Sequence, residues 1–199
     1  MRPVLYLATQ NKHKVEELSV LLQDHFTVRD LSSFALTEEI PETGATLTEN
    51  SLQKAKYIAE KFHVSCLADD SGLEVEALGG APGVFSARYA GEPKDDRANL
   101  DLLLQNLSAH ENRRARFVTV LTYCHNGVYH AFEGEIQGTI VEAPRGTQGF
   151  GYDPVFQPEY ESRTFAEMTL TEKNQIAHRA RALEKFKNFL DETQKCVDE

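Results

Sequence analysis

Two adjacent aspartates, Asp69 and Asp70, follow an apolar run at 64–68 and come just before Gly72. The apolar run predicts a short buried strand, and the ends of strands in open α/β sheets are where side chains reach a ligand. Two neighbouring carboxylates repel each other unless a cation lies between them or they titrate as a coupled pair. Mg²⁺ prefers oxygen ligands and commonly brings phosphates with it. The alternative is a solvated Asp-Asp-Ser-Gly turn, which these residue types also favour.

The segment TQNKHK at 9–14 lies where a predicted strand gives way to a helix. Exposed amides at a helix N-terminus, together with Lys12 and Lys14, would suit a phosphate group. The alternative is an ordinary helix start that Asn11 caps. Since neither a GxxxxGK[ST] loop nor a GxGxxG loop occurs in the chain, this segment alone leaves both interpretations open.

A second candidate site lies in the glycine-rich segment 144–154, which contains Phe150, Gly151, Tyr152 and Asp153. The aromatic rings could stack on a flat heterocycle, and the backbone could approach the edge of a base closely. The alternative is that both aromatic side chains are anchors of the hydrophobic core.

Three basic side chains, Lys173, His178 and Arg179, fall near the predicted start of the last helix. Lys173 could meet a phosphate, while His178 and Arg179 could donate hydrogen bonds to a base oxygen. The alternative is a solvated charged face. A serine or cysteine nucleophile and a HExxH zinc site are poorly supported, because their sequence contexts are absent.

Composition limits the classes of partner. The 199 residues carry a formal net charge of −10, which disfavours a long nucleic acid and requires local cations or a metal for any anionic ligand. Three widely spaced cysteines, Cys66, Cys124 and Cys196, indicate thiols in a reducing compartment. No signal peptide or apolar segment of about 20 residues is visible. We therefore expect a soluble cytoplasmic protein.

The elements that must position these residues follow from hydrophobic periodicity. The pattern predicts a mixed α/β sheet with an antiparallel portion, a hairpin at Asn126-Gly127, and a tail that frays after Leu190. A capping box at Thr46 and Glu49 predicts a helix that runs to about His63. The predicted strands span 4–8, 26–31, 64–68, 73–78, 116–125, 128–135 and 137–143. Three further helices are predicted: one that starts after Asn11, one over 96–107, and one that begins near Thr169 or Thr171. A polar loop is predicted over 37–47.

Taken together, six ordered segments resemble the inosine triphosphate pyrophosphatase family, and within it the bacterial branch that acts on dITP and XTP. The resemblance spans nearly the whole chain. One departure is Gln10, where the family usually has Gly; a positive φ at that position would cost roughly 1 kcal/mol or more. The segments are ATQNKHK at 8–14, PETG at 41–44, ENSLQKA at 49–55, LADDSGLEVEALGGAPGVFSARYAG at 67–91, GFGYDPVF at 149–156 and LTEKNQIAHRARAL at 170–183.

The resemblance implies a single domain over 1–199, with an elongated mixed α/β sheet and two lobes that flank a nucleotide-binding cleft. It implies a homodimer, to which the apolar segment 79–91 could contribute. The implied reaction is Mg²⁺-dependent hydrolysis of ITP, dITP and XTP between the α and β phosphates, which yields the monophosphate and pyrophosphate.

The resemblance also implies a role for each candidate residue. Asp70 would activate the attacking water, and Asp70, Glu42 and Asp69 would be the carboxylates that bind Mg²⁺. Hydrogen-bond donors that meet a 6-oxo group would be mismatched against the 6-amino group of adenine. Phosphate oxygens would contact Lys14, Lys54, Lys173, Ser71 and the turn of Thr9, Gln10, Asn11, Lys12 and His13, and the base would contact Phe150, Gly151, Tyr152, Asp153, His178 and Arg179.

Two other functions remain open from the sequence. The chain could be a pyrophosphatase of similar design that acts on pyrimidine, other modified or standard triphosphates. It could also be a nucleotide-binding regulator without catalysis, although Asp69, Asp70 and Lys173 argue against that function.

Overall fold

The computed structural model describes residues 2–34, 36 and 38–195. Within these residues the chain forms six strands, five α-helices and four short 3₁₀ segments. The strands are β1 (Val4–Ala8), β2 (Thr27–Arg29), β3 (Cys66–Val75), β4 (Arg114–His125), β5 (Val128–Ile140) and β6 (Phe156–Pro158). The helices are α1 (Lys12–Leu22), α2 (Leu47–Phe62), α3 (Asp96–Asn106), α4 (Leu170–Ile176) and α5 (His178–Lys195), and the 3₁₀ segments are Leu31–Ser33, Glu76–Leu78, Gly83–Arg88 and Phe165–Glu167.

The strands form one sheet in the order β2-β1-β3-β4-β5-β6. Strand β1 pairs in parallel with β2 and with β3, whereas β5 and β6 are antiparallel. This arrangement confirms the mixed α/β class, because the parallel strands are joined by helices and the antiparallel ones follow a hairpin.

Strand β3 differs from the prediction. The sequence predicted two strands at 64–68 and 73–78 separated by the Asp-Asp-Ser-Gly segment, but β3 is continuous from Cys66 to Val75. Asp69 and Asp70 therefore lie in the middle of a ten-residue strand, and neither a strand end nor a turn is present there. Their side chains point to opposite faces, since successive residues alternate along a strand.

The hairpin prediction is confirmed, because Asn126 and Gly127 both adopt positive φ angles, 50° and 76°. Strand β5 continues through the segment 137–140 that the sequence assigned to a separate strand. At the C-terminus the single predicted helix is two helices, because Ala177 adopts an extended conformation with φ −66° and ψ 155°. Helix α5 continues to Lys195, and the last four residues of the predicted tail, with Cys196, lie outside the described part of the chain.

Local caps account for the helix boundaries. Thr46 accepts a hydrogen bond from the amide of Glu49 at 3.1 Å, but the Glu49 carboxylate accepts from the amide of Ala45, so the predicted reciprocal bond to Thr46 is displaced by one residue. Helix α2 ends at His63 in the left-handed conformation. Helix α3 starts where predicted and ends at Asn106, one residue earlier than predicted, with Leu107 as its C-cap. Strand β2 is shorter than predicted. The predicted polar loop includes Thr37, which lies outside the described residues.

The chain divides into two compact units, each with its own hydrophobic core. The first unit comprises Met1–Asp70, Thr119–Gly134 and Arg179–Glu199, and its core includes Leu7, Leu18, Leu67, Leu121 and Phe186. The second unit comprises Ser71–Val118 and Glu135–His178, and its core includes Leu73, Leu103, Phe117, Phe156 and Phe165. In the described residues no helix combines the length and the apolar character that a membrane span requires.

Candidate active site

In the first unit, Asp69 and Asp70 each have cations of their own. The Asp69 carboxylate contacts Lys14 Nζ at 2.5 Å and Arg179 Nε at 2.7 Å, on the face of β3 toward α1 and α5. The Asp70 carboxylate contacts Lys54 Nζ at 2.6 Å, from α2. The strand alternation thus separates the two negative charges, and each face supplies its own basic side chains.

Arg179 has a position that the sequence did not predict. Its side chain is almost completely buried, and its Nη1 donates to the Glu17 carboxylate while its Nε donates to Asp69. Arg179 thus pairs with two carboxylates in this structure, and its contact with a base oxygen stays a prediction. Glu17 was missed by sequence reasoning, although a signal exists, because Lys14, Glu17, Leu18 and Leu21 share one face of α1 at helical spacing.

The surroundings shift the pKa values of these groups in opposite directions. Burial of Asp69 acts to raise its pKa, but the charges of Arg179 and Lys14 outweigh burial and hold the pKa well below its usual range. Burial raises the pKa of Asp70, and Lys54 opposes this shift only in part. Burial lowers the pKa of Lys14, with the neighbouring Asp69 opposing the shift. The two aspartates are therefore electrostatically distinct despite being adjacent.

Lys54 joins three oxygen atoms at one point. Its Nζ lies 2.8 Å from Glu42 Oε1, 2.6 Å from Asp70 Oδ1 and 2.7 Å from the Asp69 carbonyl oxygen. Burial acts to lower the pKa of Lys54, but the carboxylates of Asp70 and Glu42 raise it above its ordinary value. Glu42 thus joins the cluster, as the sequence predicted, and the structure places it beside Asp70 and Lys54.

The loop that carries Glu42 is held by side chains of α2. The amide of Thr43 donates to Gln53 Oε1 at 2.9 Å, and the amide of Gly44 donates to Asn50 Oδ1 at 2.7 Å. A Cβ at Gly44 would lie 2.6 Å from the Cβ of Glu49, so the glycine permits this close approach. The segment ENSLQKA therefore holds the loop of Glu42 and also supplies Lys54.

The carboxylates of Glu42 and Asp70 fit a hard divalent cation. In the described ranges no cluster of three or more His, Cys, Asp and Glu side chains is arranged to hold a metal. However, the two carboxylates converge on one point, and Mg²⁺ commonly uses one or two carboxylates together with substrate phosphates. Asp69 differs, because each of its two carboxylate oxygens already contacts a cation. The ion pairs form one buried cluster, which includes Glu17, Glu42, Asp69, Asp70, Lys14, Lys54 and Arg179.

The segment 9–14 forms the capped helix start that the sequence left as an alternative. Asn11 Oδ1 accepts from the amides of His13 at 3.0 Å and Lys14 at 3.2 Å, and the buried Thr9 accepts from the Asn11 amide. Gln10 does not adopt a positive φ, so the predicted cost of replacing Gly does not arise. Its side chain instead bonds the backbone of Glu38 and Ile40, while Lys12 and His13 are exposed.

In the second unit, Asp153 organises the glycine-rich loop. Its Oδ2 accepts from the Phe150 amide at 2.9 Å and from Lys173 Nζ at 2.6 Å, and both Asp153 and Lys173 are buried. Lys173 Nζ also lies 5.0 Å from the centroid of the Phe150 ring. The loop and the first turns of α4 are therefore linked through one buried ion pair.

The two aromatic residues of this loop have different environments. Tyr152 is buried in the core of the second unit, and its hydroxyl donates to the Ser86 carbonyl oxygen at 2.8 Å, so the core-anchor alternative holds for this ring. Phe150 is half-buried. Of the two rings, that of Tyr152 belongs to the core, whereas that of Phe150 lies at its edge.

The remaining predicted residues also have defined positions. His178 is buried in the second unit, where its ring stacks on Phe117 with centroids 4.7 Å apart. Lys173, His178 and Arg179 are all buried, so the alternative of a solvated charged face is wrong. Ser71 is half-buried and directly follows Asp70 on β3.

Comparison with known proteins agrees with the family resemblance expected from the six sequence segments. The model of the Ham1 family matches residues 5–189. The chain belongs to the Ham1 family. This Ham1 chain is 46% identical over 185 residues to a dITP/XTP pyrophosphatase of Flavobacterium psychrophilum, covering 93% of this chain and 97% of the relative. It is 45% identical over 189 residues to the dITP/XTP pyrophosphatase of Bacillus subtilis, covering 93% and 96%.

The fold agrees as well. The Ham1 protein of Staphylococcus aureus superposes with a TM-score of 0.86 at 37% identity, covering 96% of this chain and 99% of that protein. The family resemblance expected from the sequence is therefore confirmed for the Ham1 chain, and so is its mixed α/β fold.

Removing Glu17 tests the buried cluster of this Ham1 protein. Glu17→Gln should lower the free energy of unfolding by about 3 kcal/mol, because it removes the negative charge that pairs with Nη1 of the buried Arg179 guanidinium. Urea unfolding at neutral pH measures the change. The matched control is Glu16→Gln, an exposed neighbour on α1, for which we expect about 0.5 kcal/mol or less. Equal effects of the two substitutions would contradict the role of Glu17.

Two glycines of the loop provide a paired test of its packing. A Cβ at Gly149 would lie 2.0 Å from Asp153 Oδ2, whereas a Cβ at Gly151 meets nothing within 4 Å, and both residues have a positive φ. Gly149→Ala should therefore destabilise the protein by about 1–3 kcal/mol more than Gly151→Ala, since only the first adds overpacking to backbone strain. Denaturant unfolding of the two variants measures this difference, and its absence would show that the loop is not closed on Asp153.

Proposed function

We propose that the chain is a nucleoside-triphosphate pyrophosphatase that hydrolyses dITP, ITP and XTP to the monophosphate and pyrophosphate. The observation that carries this proposal is the cluster of Glu42, Lys54 and Asp70, in which two carboxylates and a lysine converge on one point. Such a cluster can bind both a divalent cation and phosphate oxygens. The names of relatives that are 45–46% identical over nearly the full chain support the same substrate class.

Within this mechanism, Asp70 orients the attacking water and accepts its proton, as a carboxylate general base does. Glu42 and Asp70 are the residues that would hold Mg²⁺, which when bound neutralises charge on the phosphates. Asp69 holds Lys14 and Arg179 in place through its two carboxylate oxygens. Asp69 is therefore proposed to position Lys14 and Arg179 rather than to bind the metal.

Phosphate oxygens are bound by Lys14, Lys54 and Lys173. Each ammonium group pairs with at least one carboxylate, and a triphosphate offers oxygens of the same charge with which these contacts can be exchanged. Ser71 and the turn at 9–13 add polar contacts to the phosphates. These local cations offset the repulsion that a chain of net charge −10 exerts on an anion.

The purine base is bound by the loop of the second unit. Phe150 stacks on the base, the backbone at 151–153 lies along the base edge, and His178 donates to its 6-oxo group. Adenine is rejected because its 6-amino group would leave this donor unpaired. Arg179 is held by Asp69 and Glu17, and its hydrogen bond to the base oxygen stays a prediction.

We further propose that the protein acts in the cytoplasm as a homodimer. The apolar side chain of Phe85, in the segment 79–91, is 57% exposed, with the guanidinium of Arg88 5.5 Å from its ring centroid. An exposed aromatic ring flanked by an arginine is a composition typical of protein interfaces. Sedimentation of the protein and of a Phe85→Ser variant tests the dimer, which the substitution should weaken.

Asp70→Asn tests the catalytic assignment. The variant should release pyrophosphate from ITP about 10³-fold more slowly, because an amide cannot accept the proton of the attacking water. Its binding of ITP, measured by calorimetry, should remain largely intact. Asp101→Asn, an exposed acid on α3, is the control and should keep wild-type activity. A wild-type protein that binds ITP with Mg²⁺ and releases no pyrophosphate would indicate the regulator instead.

A nucleotide panel tests the substrate class and the metal. Pyrophosphate release should be fastest with ITP, dITP and XTP, slower with GTP, dTTP and UTP, and lost when EDTA removes divalent cations. Addition of excess Mg²⁺ should restore it, because the metal site is formed by exchangeable carboxylate oxygens. Faster turnover of dTTP or UTP than of ITP would contradict the assignment of purine nucleotides as substrates.

A further inference from the structure

Asp96 contacts the glycine-rich loop from a distant part of the sequence. Its Oδ2 accepts a hydrogen bond from the Gly151 amide at 2.9 Å, and both residues belong to the second unit. Asp96 is the first residue of α3, whose buried side chains Leu100 and Leu103 pack into the core of that unit. The carboxylate is thus mounted on a helix that is fixed by apolar packing.

The helix does not need Asp96 as its cap. Asp95 is the N-cap residue, and its Oδ1 accepts from the amides of Arg97 at 2.8 Å and Ala98 at 3.0 Å. A negative charge in the first turn stabilises a helix only modestly. The hydrogen bond to Gly151 is therefore a role of Asp96 that the requirements of α3 do not explain.

This bond fixes one particular peptide group. The Phe150–Gly151 peptide donates its N–H to Asp96, and its carbonyl oxygen accepts from the Asp153 amide at 3.2 Å. The next residue is anchored separately, since the Tyr152 hydroxyl donates to Ser86. The Phe150 amide in turn donates to Asp153 Oδ2, so the peptides on both sides of Phe150 are held, and with them the direction in which its side chain leaves the backbone.

We propose that Asp96 is a positioning residue for purine recognition, which holds the Phe150–Gly151 peptide so that the Phe150 ring is set for stacking on the base. The inference rests on the proposed function, since it deepens the role given there to the loop. Asp96 acts through the loop backbone and not by touching the substrate. Its removal should therefore weaken contacts with the base and leave contacts with the phosphates unchanged.

The experiment compares Asp96→Ala and Asp96→Asn with the matched control Asp101→Ala. Asp101 is an exposed acid on the same helix whose ion pair is with Arg97, so its loss removes the same charge without touching the loop. For each protein we would measure kcat and KM for ITP, the affinity for IMP by calorimetry, and the inhibition constant of inorganic pyrophosphate. IMP carries the base, whereas pyrophosphate reports the phosphate contacts alone.

Asp96→Ala should raise the KM for ITP and weaken IMP binding by about 10-fold, the size expected for a lost hydrogen bond to a charged acceptor. The inhibition constant of pyrophosphate should change by less than about 2-fold, because a change of that size is smaller than the loss of one hydrogen bond to the phosphates would cause. Asp96→Asn should recover most of the IMP affinity, because its amide oxygen can still accept from Gly151. A helix-dipole role would instead make Asn behave like Ala, since both lack the charge.

A further variant, Asp96→Glu, guards against a general loss of folding. It keeps the negative charge in the first turn of α3 but moves the carboxylate away from Gly151, so IMP affinity should fall while the melting temperature stays at the wild-type value. The inference is overturned if Asp96→Ala binds IMP like Asp101→Ala, or if IMP and pyrophosphate weaken together. These outcomes require a wild-type enzyme that releases pyrophosphate from ITP; if it does not, the proposed function fails instead.

Discussion

Two carboxylates buried side by side on strand β3 can be stable only if each receives cations of its own. Asp69 obtains Lys14 and Arg179, and Asp70 obtains Lys54. Burying an unpaired charge costs several kcal/mol, so these contacts constrain where α1, α2 and α5 can lie around the strand. Because side chains alternate along the strand, the two faces have different ion pairs. On one face Asp69 pairs with two cations, and on the other face one lysine bridges the carboxylates of Asp70 and Glu42.

The same principle governs the second unit on a smaller scale. Lys173 and Asp153 form a buried pair, and the Asp153 carboxylate also accepts from the Phe150 amide, so one acid fixes both a basic side chain and a loop. Two loop glycines make this possible, since a Cβ at Gly149 would collide with Asp153 and one at Gly146 would lie 2.2 Å from the Ala166 backbone. Pairing of charge and close approach of backbone together define the loop conformation.

The sequence correctly predicted helix caps and the hairpin turn, because these depend on interactions between residues that are close in sequence. Asn11 and Thr46 cap their helices because short polar side chains satisfy free amides, and Asn126-Gly127 forms its turn because both residues tolerate a positive φ. The prediction failed at 69–72, where turn-forming residues occupy the middle of β3. Their local preference is overridden by ion pairs to residues that are 16 to 110 positions away in sequence.

The sequence by itself determined the family, the mixed α/β class and nearly all the residues of the candidate site, because spacing, caps and ordered motifs are properties of the chain alone. Only the tertiary structure decided which of those residues meet. It paired Arg179 with Glu17 and Asp69, buried Tyr152 in the core, and brought Asp96 to Gly151. Such partners cannot be inferred from spacing, since they depend on which groups are buried. Burial removes a charged or polar group from water, and this desolvation cost has to be offset by contacts with neighbouring groups.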